Sequence, residues 1–218
     1  TRFPSTLKLS TVAMFFAALI GIPVGVISAV RQYSFTDAIS TTLALLFASI
    51  PSFVMGLVLM LVFSLHLRWL PATGLDSIES YILPALTLST ATMATLVRMT
   101  RSTMLEVLKQ DYIRTARAKG VNERTVVLKH ALKNAMLPIV TVIGVDFGYL
   151  LGGTVVIESV FSINGLGTLL ITAIRMKDTP TVMAAIMFVT LAYSIVNLVV
   201  DIIYAFIDPR IKSQYERG

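Results

Sequence analysis

Cysteine is absent from this sequence, which excludes a disulfide framework and any thiolate metal site and leaves the redox compartment open. Histidine is scarce as well. His66 and His130 lie too far apart in sequence to suggest a metal site. Charge is the third shortage: Asp, Glu, Lys and Arg make up 14% of the 218 residues, where a soluble domain carries about a quarter. The deficit is concentrated in long uncharged runs, and mean hydropathy is +0.81. That pattern marks a membrane protein. Thr1 to Ser10 shows no signal-peptide pattern.

What is present is a series of apolar runs. Leu9 to Val30 has 22 residues without a charge, Ala38 to Leu65 has 28, and Tyr81 to Val97 has 17. Leu137 to Ile157 contains one charge, Asp146, and Met183 to Ile207 contains one, Asp201. Roughly 20 apolar residues cross a bilayer core of about 30 Å, so five spans are expected. The third is short for a span, and its Ser89, Thr90 and Thr92 suggest that it faces protein. Lysine and arginine set the orientation. Arg98 to Lys133 holds nine of them, and with Arg31 and Arg210, Lys212 and Arg217 that side holds 13, against five on the other. The 13-to-5 split places the loop 98–136 and the C-terminus in the cytoplasm and the loop 158–182 outside. Five spans then put Thr1 outside, and a further span upstream is expected. The net charge of +6 is explained by this orientation, so no nucleic-acid partner is invoked. Trp69, beside Leu70-Pro71, suits an anchor at the outer membrane interface.

Gly144, Gly148 and Gly152 recur every four residues, with Gly153 adjacent, and so form a stripe on one helix face that lets another helix approach closely. Gly21 and Gly25 do the same on a smaller scale. The stripe serves either packing within this chain or an interface with a second membrane subunit. Pro23, Pro51, Pro84 and Pro138 favour kinks. Of the two intramembrane acids, Asp146 is the candidate for lining a translocation path, and Asp201 reads as a structural hydrogen-bond partner. An intramembrane aspartyl protease would carry Gly-x-Gly-Asp, whereas Asp201 follows Leu198-Val199-Val200. Beyond the fourth span, Phe161 to Gly167 is a turn signal, and Thr168 to Arg175 can form a short amphipathic helix. That helix could serve as a plug, a gate or a docking surface.

The most informative stretch is Met104 to Pro138. Met104 to Lys119 reads as a helix with Leu105, Leu108, Tyr112 and Ile113 on one face. Gly120 stands where a helix stop wants a left-handed residue, and Asn122 is a reasonable N-cap for a second helix from Glu123 to about Asn134. The residues Asp111-Tyr-Ile-Arg-Thr-Ala-Arg-Ala-Lys-Gly120, followed by His130-Ala-Leu-Lys-Asn-Ala-Met-Leu-Pro138, closely resemble the cytoplasmic signature of ABC importer permeases, in the branch that imports dipeptides, oligopeptides, glutathione or nickel. Leu151 to Phe161 with Gly165-Leu-Gly167, and Asn197 to Asp201 with Asp208-Pro-Arg210, extend the resemblance over essentially the whole chain. In the general importer pattern the loop reads Glu-Ala-Ala, three residues, Gly. Here Arg114-Thr115-Ala116 stands in the Glu-Ala-Ala place, so contacts made by that Glu do not carry over.

The resemblance implies an all-α, polytopic transmembrane helical bundle forming one permease domain over residues 1–218, with a cytoplasmic helical coupling hairpin between spans, in a bacterial or archaeal inner membrane. Arg114, Thr115, Ala116, Arg117, Ala118, Lys119, Gly120, Val121, Asn122, Glu123 and Arg124 would form the contact with an ATPase. The small residues would permit close approach, and Arg117, Lys119 and Arg124 would pair with acidic groove residues. The implied partners are a second, paralogous permease, two ATPase subunits, an external substrate-binding protein and the lipid bilayer. No Gly-x-x-x-x-Gly-Lys-[Ser/Thr] loop occurs here, so ATP and Mg belong to the partner ATPase, and no cofactor is expected on this chain. A self-sufficient channel or secondary transporter would call for internal repeats, and none is evident. A membrane enzyme would need a polar catalytic constellation, and only scattered Asp, Ser and Thr are present.

Overall fold

A computed structural model describes residues 2–75 and 77–207. The described residues form helices joined by short turns, apart from a longer irregular connection between His66 and Glu79. α1 (Phe3–Val30) begins with Pro4 in its first turn, where a missing N–H breaks no helical bond. It ends at a tight turn in which Tyr33 takes φ 63°. Ser34 then caps α2 (Phe35–Ser49) by accepting the Asp37 N–H. α3 (Ser52–Leu59) continues as a π-helical segment, Met60–His66. A short 3₁₀ turn, Glu79–Tyr81, leads into α4 (Ile82–Leu108).

Beyond α4 lie α5 (Asp111–Ala118) and α6 (Glu123–Thr125). α6 passes through a π segment, Val126–Ala131, into α7 (Leu132–Val160). The chain closes with α8 (Leu166–Arg175) and α9 (Thr179–Ile207).

Among the described residues, four helical stretches are long and apolar enough to cross a membrane: Phe3–Val30, Glu79–Leu108, Glu123–Gly152 and Thr179–Val200. The expected second span, 38–65, is not one straight helix. It is broken into α2 and the helix Ser52–His66, bent by 101°. The cause is local. Pro51 disfavours helical geometry in the residue before it, and Ile50 takes φ −82°, ψ 124°. The pair is therefore a broken span or a re-entrant loop.

The expected helix Met104–Lys119 is corrected too. α4 carries the third span without interruption to Leu108, and Gln110 is extended at φ −70°, ψ 149° before α5 begins at Asp111. An acidic side chain at that helix start favours the break there. The second hairpin helix does not stop near Asn134; it runs on into the fourth span. α8 forms where an external helix was expected, and Pro138 is accommodated inside α7.

α4 is the central helix: 67% of its apolar window is buried, against 6% for α9 at the periphery. Gly21 and Gly25 explain how α1 comes so close to it. A Cβ at Gly21 would stand 2.9 Å from Leu96 Cβ, and one at Gly25 would stand 2.7 Å from the Val97 carbonyl oxygen. The buried apolar residues form two main clusters, one at each end of the bundle. Leu96, Met104, Ile113, Val126 and Ile139 belong to the hairpin end. Leu9, Leu83, Ile157, Phe161 and Ile163 belong to the far end.

Candidate functional site

The hairpin is anchored from below and open on top. Ile113 is fully buried among Met104, Val126, Val127 and Ala131, and Ala116 and Val121 pack against the same cluster. This apolar foot holds α5 across the end of the bundle. The turn after α5 is built as the glycine predicted: Gly120 takes φ +77°, its N–H donates to the Arg117 carbonyl at 2.9 Å, and the Val121 N–H donates to the Ala116 carbonyl at 3.2 Å. That pair of bonds, with Val121 packed near Ala116, is a Schellman stop. Asn122 caps the next helix by accepting the Arg124 N–H at 2.9 Å.

Arg114, Thr115, Arg117, Ala118, Lys119, Gly120, Asn122, Glu123 and Arg124 are exposed; Ala116 and Val121 are partly covered. Arg117 is already bridged within the hairpin: its Nε and Nη2 donate to Glu123 at 3.0 and 2.6 Å. This bidentate pair clips α5 to α6. Lys119 and Arg124 have no ion-pair partner among the described residues, and Arg114 reaches Asp111 only at 3.8 Å. The exposed cations that remain free for an outside partner are thus fewer than the sequence alone suggested.

A second polar node ties the hairpin end together, and sequence reasoning missed it. Asp37 is 4% exposed. Arg101 Nε and Nη2 donate to its two oxygens at 2.7 and 2.8 Å, Ser28 Oγ donates at 2.5 Å, and the Tyr33 N–H donates at 2.9 Å. One carboxylate thereby joins the end of α1, the start of α2 and the cytosolic extension expected for α4. Arg101 was counted only as loop charge. The signal that could have found the pair is an acid flanking the second apolar run with an arginine just past the third.

A third node stands at the far end. Glu158 is fully buried on α7. It accepts the Thr6 hydroxyl at 2.6 Å and the Thr168 N–H at 3.0 Å, and Thr6 Oγ1 in turn accepts the Leu166 N–H at 2.9 Å. α1, α7 and the start of α8 meet here. A Cβ at Gly165 would overlap the Glu158 carboxylate, and one at Gly167 would overlap the Val155 backbone. The Gly-Leu-Gly motif is therefore required by space rather than by φ.

The glycine stripe of α7 divides. Gly144 faces Val200 and Gly148 faces the Tyr193 ring so closely that a Cβ would overlap either; both serve packing against α9. Gly152 has nothing within 4 Å and lines an open cavity with Tyr149 and Tyr193. The surroundings of Gly153 and the side chain of Asp201 lie outside the described residues, as do Asp208, Arg210, Lys212 and Arg217. Asp146 is half-buried in α7 and makes no ion pair among the described residues. Trp69 is exposed, with its ring 5.9 Å from that of Phe63.

The family model described as "Binding-protein-dependent transport system inner membrane component" matches residues 21–213. The chain is 47% identical over 212 residues to the glutathione transport system permease protein GsiC of Escherichia coli (strain K12), covering 97% of this chain and 69% of that protein. The Salmonella typhi GsiC is similar to the same extent. Among solved structures, an inward-facing MetNI methionine ABC transporter superposes with a TM-score of 0.80 at 18% identity, covering 94% of this chain and 93% of the other. An amino acid ABC transporter with histidines follows at a TM-score of 0.67 and 14% identity, covering 93% and 90%. These two likenesses show the shared helical fold. The chain belongs to the inner-membrane components of binding-protein-dependent transport systems: it is the non-catalytic permease subunit of an ABC importer whose ATPase is a separate subunit.

Proposed function

We propose that this permease imports peptides, and that residues 114–124 form its mechanical contact with the ATPase. The observation that carries the coupling role is the hairpin itself. Its apolar foot is buried, its tip is a Schellman turn at an exposed Gly120 with no atom within 4 Å of a Cβ there, and Lys119 beside it has no ion-pair partner among the described residues. A groove in a partner can approach such a tip closely and match its charge. Because α6 is continuous with α7, a displacement of the tip is transmitted to the fourth span without an intervening loop. ATP and Mg would bind the ATPase; closure of two ATPases would draw two such hairpins together and reorient the spans.

Small peptides are the proposed cargo, and glutathione, itself a tripeptide, lies within that class. The 47% identity to GsiC supports that choice. Nickel or a nickel chelate is the second substrate reading, resting on branch resemblance. Asp146 is the proposed path-lining acid. The assembly would contain a second, paralogous permease and an external binding protein, with the hairpin and the C-terminus in the cytoplasm. The sparse burial of α9 and the open side of Gly152 support a neighbouring membrane subunit. ATP-driven uptake of labelled glutathione, dipeptides and nickel by the reconstituted complex tests this function. Accumulation of peptide supports it, and uptake of nickel without any peptide overturns it.

A further inference from the structure

A charged groove lies beside the coupling tip and shares Glu123 and Arg124 with it. It runs between the last turns of α1 and the helix that starts at α6, and it encloses about 480 Å³. Ile27, Val30 and Arg31 line one wall; Arg124, Val127 and Leu128 line the other. Its polar rim is cationic. Arg31 and Arg124 are exposed and have no ion-pair partner among the described residues. The carboxylate that also lines it, Glu123, is occupied by Arg117. Its walls are hydrocarbon: Ile27, Val30 and Leu128 are 50%, 44% and 49% exposed.

The depth of the groove identifies what can fill it. Val30 is the last residue of a 28-residue apolar helix, so the groove lies where acyl chains give way to headgroups. Tyr33 and Phe35, 90% and 80% exposed just beyond Arg31, mark the same level, since aromatic side chains favour the interface. Guanidinium forks match phosphate oxygens, and basic pockets between membrane helices suit anionic headgroups.

We propose that this groove holds one anionic phospholipid. Its phosphate would sit between Arg31 and Arg124, and an acyl chain would lie along Ile27, Val30 and Leu128. The bound lipid would tie the base of the hairpin to α1, with Arg124 at the junction between the lipid and the ATPase-contacting tip. This proposal rests on the cytoplasmic reading of the hairpin only for the leaflet that supplies the lipid.

The test is native mass spectrometry of the assembled transporter released from bilayers of phosphatidylglycerol and phosphatidylcholine. The wild type is expected to retain phosphatidylglycerol selectively. Arg31→Gln and Arg124→Gln should each lower that retention about fivefold and leave phosphatidylcholine unchanged, with unaltered helical circular dichroism and thermal unfolding as the check on folding. Unchanged retention in the double variant would overturn the site. So would displacement of the lipid by added inorganic phosphate, which would mark a free-anion site, or a cross-link from Leu128→Cys to the ATPase. The cytoplasmic reading fails separately, if an impermeant maleimide labels Thr125→Cys from outside; the retention ratios decide the lipid site in either orientation.

Discussion

Gly120 holds a backbone conformation that L side chains adopt at a cost of about 1–2 kcal/mol, and open space around it means that only the dihedral resists substitution. Gly120→Val is therefore expected to distort the tip while the buried foot around Ile113 stays folded. Membrane insertion should be normal and ATP-driven uptake severely reduced; normal uptake would remove the hairpin tip from the coupling mechanism. Asp37 makes the opposite case, a residue whose neighbours depend on it. Asp37→Ala leaves Arg101 only partly exposed and without its partner, a loss of about 3 kcal/mol. Thermal unfolding in detergent should show it, and Asp37→Leu combined with Arg101→Met should recover most of it. At the far end, Thr6→Val removes one hydroxyl that both donates to Glu158 and receives the Leu166 N–H. A loss of about 1–2 kcal/mol is expected, with protease sensitivity appearing first near α8.

The hairpin behaves as one element because α5 and α6 are clipped by Arg117 and Glu123. α7 and its upstream extension run from 123 to 160 at about 1.5 Å per residue, further than a bilayer core of roughly 30 Å, which leaves room for the clip outside the membrane span expected at 137–157. The Arg117 guanidinium holds the Glu123 carboxyl below the usual carboxylate range. A carboxylate lowered in the folded state stabilises it above the unfolded value, about 4.3, and that contribution disappears as pH falls through the lower folded value. Amide exchange in residues 117–124 should accordingly be indifferent to pH between about 6 and 8, apart from intrinsic chemistry, and should rise only in acid. Glu123→Gln should raise it at neutral pH. Equal protection in wild type and variant would show that the pair contributes nothing measurable, as many exposed pairs do. The bend between α2 and α3 belongs at this scale as well. Pro51 explains why helical geometry stops there, but the 101° angle is set by the packing of both halves on α4.

Across these 218 residues, the absence of cysteine makes topology directly measurable, since a thiol introduced here has no other within this sequence. Thiols at Thr125 and Lys177 are expected to react with an impermeant maleimide from opposite sides of the membrane, and reaction from one side would sink the proposed orientation. Asp146→Leu removes an intramembrane acid that has no ion-pair partner among the described residues, so folding should be little affected or improved. Uptake should fall if Asp146 lines the path, and an unchanged transport rate would return it to a structural role.

The apolar runs by themselves determined that this chain is a helical membrane protein, because a bilayer leaves the backbone few other ways to satisfy its hydrogen bonds. The hairpin was also legible, since Gly120 and Asn122 act through their own backbone neighbours. Asp37 with Arg101, and Glu158 with Thr6, were not: each pair is separated by at least 64 residues, and no local pattern reports which helices become neighbours. The glycine stripe could be seen in sequence but not assigned. Only the tertiary structure decided that Gly144 and Gly148 meet α9 of the same chain while Gly152 stays open, because close approach is a property of two surfaces and the sequence displays them one at a time.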